Sequence, residues 1–328
     1  MASIPLTRVA TLSPFCRVLQ EGGFEVVRSL ERSGIPPALL RSPERFVPLR
    51  RAAEFVEQTA RREGIRGLGF HVGSETTLGE LGEFGRIINQ ALTLHDALNR
   101  FIRAMPEADT GARAWTDEVP GRDSLRFCFR QNVDVGKSIV DGYTLTIVIG
   151  IIRMAAGRDW RPARVRVAAH PRDAKRVECL AETRIEIVAD HGAVEIPREL
   201  LALPFQPEVS NAVDTGDWHE APGTLIGELK ETIRNGFGAR VPDLVEAAEL
   251  AGTSVRSLQR QLKQEGAQFR ELVDRIRHQE ARRLLADPSV PIAGIGRHLG
   301  YPDAANFTHA FLRWTGETPS ACRARLPA

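Results

Sequence analysis

Arg256, Gln259 and Arg260 are the side chains best suited to touch another molecule, in the run Ser254-Val-Arg-Ser-Leu258-Gln-Arg-Gln-Leu262. Residues three and four apart share one side of a helix. Leu258 and Leu262 therefore mark an apolar inner face, while Arg256, Gln259, Arg260 and Lys263 point largely elsewhere. An Arg/Gln outer face over an apolar inner one suits a helix lying in the major groove of DNA, where each base pair presents its own pattern of donors and acceptors.

The elements around this run are the ones such a helix needs. Ala248 is small enough for two helices to approach closely, Gly252 can take the left-handed conformation that ends the first, and Ser254 is a good N-cap for the second. The pattern recurs in Gly296-Arg-His-Leu-Gly300-Tyr-Pro-Asp303-Ala-Ala-Asn-Phe307-Thr-His-Ala-Phe311. Here Gly296 and Gly300 stand for Ala248 and Gly252, Asp303 for the capping serine, and Phe307/Phe311 for Leu258/Leu262, with a turn one residue longer. Between the units, Phe269, Leu272, Val273, Ile276, Ala281, Leu284 and Leu285 keep a helical period over 268–286, until Asp287-Pro288 ends it. Two units on one rod would meet neighbouring turns of the same DNA face. Thr318 can cap a last short helix, with Pro319 at its first position, running through Arg325.

Over about residues 225–326 the sequence resembles the AraC/XylS family of bacterial transcription regulators. The resemblance is carried by Ser254 with Leu258-Gln259-Arg260, the 277–285 run, Leu299-Gly300-Tyr301, Phe307 and Phe311, and Gly316 with Pro319. It implies two recognition helices entering successive major grooves, with Arg256, Gln259 and Arg260 facing bases in the first and Ala305, Asn306 and His309 in the second. Ser254, Ser257, Lys263, Thr308 and Arg313 join them as expected DNA contacts. The sequence departs from the family at His309, where arginine is commoner, and at Gly296, where alanine is usual and glycine costs about 1 kcal/mol of helix stability. Arg282 and Arg283 are better placed to touch phosphate or brace the joining helix than to read bases.

At 328 residues and 42% hydrophobic, the chain has material for two packed cores. Formal net charge is only +2, yet residues 254–325 hold twelve Lys/Arg against seven Asp/Glu, so the basicity sits where phosphate would be met. Cys16, Cys128, Cys179 and Cys322 lie far apart without a C-x-x-C pair, which suggests neither a zinc site nor a disulfide framework and fits a reduced, cytoplasmic compartment. The start, Met-Ala-Ser-Ile-Pro-Leu-Thr-Arg, lacks a long apolar core, and the longest greasy run, 147–152 with its flanks, is too short to span a bilayer. Neither export nor a membrane segment is expected.

In the first half, residues 1–62 read as helical, with one stripe of Phe24, Val27 and Leu30, a break at Gly34-Ile-Pro-Pro37, and a second of Leu49, Ala53, Phe55 and Val56. The glycines at 64, 67, 69, 73, 79, 82 and 85 fit neither G-x-G-x-x-G nor a P-loop, so they imply close backbone packing or turns rather than phosphate binding. Residues 85–105 read as one amphipathic helix with Ile88, Ala91, Leu92, Leu98, Phe101 and Ile102 inward. Period-two alternation predicts strands at 125–129, 165–167, 185–187 and 194–196, and 138–156 reads as a buried helix. In that helix Asp141 and Arg153 must find partners or water, which makes them candidates to face a ligand. His71, His95, His170 and His191 lack metal-ligand spacing, and Trp115, Trp160 and Trp218 fit core or interface better than a stacking cage. This half resembles the N-terminal ligand-sensing module of one AraC subgroup, named after arabinose binding, through Gly67-Leu-Gly69-Phe70, Gly79 to Gly85 and Pro197-Arg-Glu-Leu-Leu-Ala-Leu-Pro204. The subgroup name implies nothing about a sugar.

The expected architecture is an α+β N-terminal sensor domain over 1–205, a linker over 206–223 rich in Pro, Gly and polar residues, and an all-α C-terminal domain over 224–328 with two helix-turn-helix units joined by a long helix. The expected function is sequence-specific transcription regulation, as an activator controlled by a small-molecule effector. Its expected partners are promoter double-stranded DNA, the effector, RNA polymerase and a second copy of the chain, with no cofactor, metal or catalysis. An enzyme or repair protein delivered by its DNA domain is the alternative from another class, and needs a nucleophile with its base; no G-x-S-x-G, H-E-x-x-H or cysteine cluster supplies one. A constitutive DNA-binding protein without effector is the third reading.

Overall fold

The computed structural model describes residues 2–167, 178–188, 190–207 and 219–325. His170, Trp218 and most of the expected linker lie outside them. The chain opens with a short strand β1 (Leu6–Arg8), followed by α1 (Ser13–Glu21), α2 (Val26–Arg32) and β2 (Phe46–Pro48), which pairs antiparallel with β1. Neither strand is foreshadowed by the helical reading of 1–62, because three residues are too few to show a period. Val27 is 58% exposed rather than inward: α2 begins at Val26, and its buried face carries Val26 and Leu30, four apart.

Four helices follow, α3 (Leu49–Arg62), α4 (Leu68–Glu75), α5 (Gly82–Asn89) and α6 (Leu94–Ala108). The single helix expected over 85–105 is thus two. Thr93 breaks it by capping α6, its hydroxyl accepting the Asp96 N–H at 3.2 Å, and Leu92 is left in the break, 79% exposed. Then come β3 (Ala112–Glu118), β4 (Ser124–Gln131), α7 (Lys137–Ala156), β5 (Arg164–Val167), β6 (Arg184–Ile187) and β7 (Gly192–Pro197). The strands form one sheet in the order β3-β4-β7-β5-β6, antiparallel except for the β5/β6 pair. β3 went unread because it is an edge strand of which only Ala112 is buried, so no alternation marks it.

α7 is the centre of this domain. It covers β4, β5 and β7 on one side and meets α4 on the other, where glycines let the backbones touch. A Cβ on Gly69 would lie 1.8 Å from the Ile139 carbonyl oxygen, and one on Gly73 would lie 2.2 Å from Thr146 Oγ1. Gly69, Gly73 and Gly85 therefore serve close packing, whereas Gly64 and Gly67 take positive φ. At 20 residues with mean hydropathy 1.6, α7 is long and apolar enough to cross a bilayer, which corrects the length argument made from the shorter run. Sixty-one per cent of its most apolar window is buried inside the domain, as a core helix requires.

The C-terminal region is helical: α8 (Leu225–Asn235), α9 (Leu244–Leu250), α10 (Val255–Gln264), α11 (Phe269–Leu285), α12 (Ile292–His298), α13 (Ala304–Thr315) and α14 (Pro319–Arg325). Leu258, Leu262, Leu272, Ile276, Ile295, Phe307 and Phe311 are buried in one core, and Leu6 and Phe46 from the N-terminal strands, with Ile4 just before β1, join it. β2 packs on α8, where the Asn235 side-chain amide donates to the Phe46 carbonyl and accepts from Arg45. Arg8, 1% exposed, ties the same junction, donating to the carbonyls of Glu44 and His219 at 2.6 Å each and of Glu107 at 2.8 Å. Burial pulls the Arg8 guanidinium down to about 10, against the charge of Glu44, 3.5 Å away.

Candidate nucleic-acid interface

Both helix-turn-helix units are built as the residue types dictate. Gly252 and Gly300 take φ of +59° and +82° in the two turns, a region that L side chains rarely occupy. Ser254 Oγ accepts the Ser257 N–H at 3.2 Å at the start of α10, and Asp303 Oδ1 accepts the Asn306 N–H at 2.7 Å at the start of α13. Those bonds from Asn306, backbone first, hold the Asp303 carboxyl below its usual range. Under α10, Leu258 and Leu262 are buried; under α13, Phe307 and Phe311 are, their rings 5.9 Å apart. Gly296 is buried against Phe307: a Cβ there would sit 3.0 Å from Phe307 Cβ, so glycine lets α12 close tightly on α13. That is the physical return on the helix stability it forgoes.

Arg256, Gln259, Arg260 and Lys263 stand exposed on α10, as do Ala305, Asn306, His309 and Arg313 on α13. A groove of about 970 Å³ runs between the two helices over α11 and brings Gln259, Lys263, Asn306, His309 and Arg313 to one concavity. Arg256, Arg260, Ala305, Ser254, Ser257 and Thr308 lie outside it. Several expected contacts already have intramolecular partners. Asn306 Nδ2 donates to Asp303 Oδ2 at 2.7 Å, Thr308 Oγ1 to the Ala304 carbonyl at 2.8 Å, and Arg313 pairs with Asp274 of α11 at 3.2 Å.

The floor of the groove was missed from the sequence. Arg270 and Arg277 of α11 line it beside Tyr301; Arg277 donates to the Leu299 carbonyl at 3.1 Å and lies over the Tyr301 ring, 4.9 Å from its centroid. The signal available was a pair of arginines, Arg270 and Arg277, seven positions apart on the joining helix. Arg283 is taken by Glu280 at 2.6 Å. Burial raises the Glu280 carboxyl, but the bonds and charges of His298 and Arg283 outweigh it and hold it at about 2, bracing α11 against α12.

In the sensor region the two candidates for a ligand-facing role sit apart. Asp141, fully buried, pairs with Lys137 at 3.3 Å, and Arg153 donates to the Trp160 carbonyl at 2.8 Å near the end of α7. All four cysteines are buried, and none is in a disulfide among the described residues.

Residues 23–205 match the family model of the arabinose-binding domain of AraC transcription regulator, N-term, and residues 247–325 match that of a helix-turn-helix domain. The sequence is 24% identical to the HTH-type transcriptional regulator VirS of Mycobacterium tuberculosis over 97% of this chain and 96% of that one. It is 39% identical to the HTH-type transcriptional regulator VqsM of Pseudomonas aeruginosa, a match spanning 30% of this chain and only 31% of that protein. Among solved structures, the transcriptional regulator CdpR from Pseudomonas aeruginosa aligns over 95% of this chain and 96% of that chain, at 20% identity and a TM-score of 0.43. These relatives are named as regulators of transcription, none as an enzyme. With the N-terminal family model alone covering more than half of the sequence, and two capped helix-turn-helix units behind it, the chain belongs to the AraC family of transcription regulators.

Proposed function

We propose that the chain is an effector-controlled, sequence-specific activator acting in the cytoplasm, with a sensor over 1–205, a linker over 206–223 and a DNA-binding domain over 224–328. In this reading it binds promoter DNA as a homodimer and works with RNA polymerase. Arg256, Gln259 and Arg260 read bases in one major groove, and Ala305, Asn306 and His309 in the next. Ser254, Ser257, Lys263, Thr308 and Arg313 hold the backbone between them. The observation that carries this is the groove flanked by two capped helices, with Gln259, Lys263, Asn306, His309 and Arg313 on its walls and Arg270 and Arg277 on its floor. Cations in a concavity between two recognition helices suit the phosphate ridges that separate successive major grooves.

The test is fluorescence anisotropy of a labelled duplex from upstream of the protein's own gene, against a scrambled duplex at one fixed salt concentration, since the phosphate term depends on salt. A preference of about a thousandfold or more is expected. Equal affinity for both duplexes, and for a library of genomic fragments, would remove the sequence-specific reading.

A further inference from the structure

A cavity of about 80 Å³ lies in the sensor region between α1, α3, α6, α7 and β1. One water needs about 10–15 Å³ on this kind of measure, so the space is that of a molecule of several heavy atoms. Protein interiors rarely leave such voids, because unfilled walls forfeit their dispersion contacts. The walls are mostly apolar, with the Phe15, Phe84, Phe101 and Tyr143 rings among them, and among the described residues no lysine or arginine lines them.

Among the lining residues, the Gln131 amide is a polar group left incomplete. The Gln131 side chain, 6% exposed, donates Nε2 to Thr144 Oγ1 at 2.6 Å, while its Oε1 has no partner. A buried amide oxygen without a donor is a standing cost that a ligand can remove. The Tyr143 hydroxyl is the other buried polar atom of these lining residues without a hydrogen-bond partner, and the remaining polar groups have partners. Thr7 and Thr11 hydroxyls bond to each other at 3.0 Å, and the Asp109 carboxyl group accepts the Gly111 N–H at 2.9 Å. An anion would find no counter-charge, and an unpaired buried charge is prohibitive. A hydroxyl both donates and accepts, so it completes the Gln131 amide in either orientation of that amide.

Thr7 also connects the cavity to the DNA-binding region. It belongs to β1, and the residues just before it are held by the other side. Leu6 and Ile4 are buried in the C-terminal core, and Ser3 Oγ and the Ile4 N–H each donate to Glu228 at 2.7 Å. The Ala2 N–H donates to Gln261 Oε1 at 2.9 Å and the Ala2 carbonyl accepts from Gln261 Nε2 at 3.2 Å, Gln261 lying on α10, the first recognition helix. Six residues thus join a cavity wall to a recognition helix.

Building on the effector-controlled reading above, we propose that this cavity is the effector site. Its ligand is a small, uncharged, mostly apolar alcohol or phenol whose hydroxyl pairs with Gln131, and occupancy reaches α10 through residues 2–7. Phenol is the probe, with toluene and benzoate as controls, each titrated by ligand-observed NMR into the full-length protein without DNA. Phenol binds and benzoate does not. Gln131→Leu weakens phenol about three- to tenfold, the loss of one hydrogen bond, and leaves toluene unchanged. Ala108→Leu, which fills the space, abolishes both. Phenol also alters hydrogen exchange of the α10 amides, and a variant lacking residues 2–4 keeps phenol affinity but loses that change. Absence of phenol binding to folded protein, benzoate binding as well as phenol, or equal weakening of toluene by Gln131→Leu overturns the site. Phenol binding without an exchange change in α10 overturns the coupling. Because none of these readouts involves DNA, failure here is distinct from failure of the duplex preference.

Discussion

At the scale of single residues, the two kinds of cation around the groove should separate experimentally. Arg256 and Arg260 are exposed and outside the groove, and in the proposed reading they meet base edges, whereas Lys263 and Arg270 line it. Arg260→Ala is expected to cost about 1–3 kcal/mol on the preferred duplex and little on scrambled DNA, because it removes base readout. Lys263→Ala and Arg270→Ala should instead weaken both duplexes alike and each reduce the slope of log affinity against log salt by about 1. Anisotropy titrations at several salt concentrations decide between them, and a uniform loss for Arg260→Ala would reassign it to phosphate. Asp303 acts one step back, since it caps α13 and holds the Asn306 amide. Asp303→Ala should cost about 1 kcal/mol of stability, read as a lower urea midpoint. The caps, the glycine turns and the exposed positions on α10 were legible in the sequence because each is a local matter of side-chain type at fixed offset. That Arg313 is tied to Asp274 was not, because the two meet only once α11 and α13 have packed.

At the scale of elements, α7 shows what periodicity conveys and what it hides. Its apolar composition marked it as buried, but the identity of its neighbour was carried by glycines whose purpose no spacing rule states. Gly69 and Gly73 present their bare Cα atoms to the α7 backbone, whereas Gly150, inside α7 itself, has nothing within 4 Å of an added Cβ. Opposite effects follow from the same substitution. Gly150→Ala should raise stability by about 0.5–1 kcal/mol, the helix-propensity difference. Gly69→Ala must drive α4 off α7 and should lower it by about 1–3 kcal/mol or more. Urea unfolding of the two variants is the check, and a neutral Gly69→Ala would mean that α4 and α7 are not in contact. The break between α5 and α6 escaped the sequence for a related reason. Leu92 fits the helical stripe, and only the competing cap at Thr93 takes it out.

At the scale of the whole molecule, the junction between the two regions was invisible in the sequence. Its contacts join residues 2–8 and 44–46 to residues 219–261, and no local pattern encodes a partner two hundred positions away. Two carboxyls at the ends of this bridge make its strength depend on pH. Burial raises the Asp109 carboxyl from 3.8 to about 7, against hydrogen bonds from Gly111, Thr7 and Ala112 and the charge of Arg113. Burial likewise raises Glu228 above its usual 4.5, against bonds from Ser3 and Ile4, with the charge of Glu265 adding to the rise. Both groups hold a proton more tightly in the folded protein than in the unfolded chain. Their stabilising contribution is therefore complete below about pH 4 and is lost as pH rises, for Asp109 through about 7. Each group can contribute a slope of at most about 1.4 kcal/mol per pH unit. Urea midpoints at pH 5, 6, 7 and 8 should accordingly fall with pH in the natural protein. Asp109→Asn keeps the acceptor for the Gly111 N–H while removing the titration, so its midpoints should fall less steeply over the same range, with the two curves diverging most at pH 8. Parallel curves would show that Asp109 does not hold its proton into this range, and that the pH response of the junction comes from its other burial-raised carboxyls, Glu44 and Glu228.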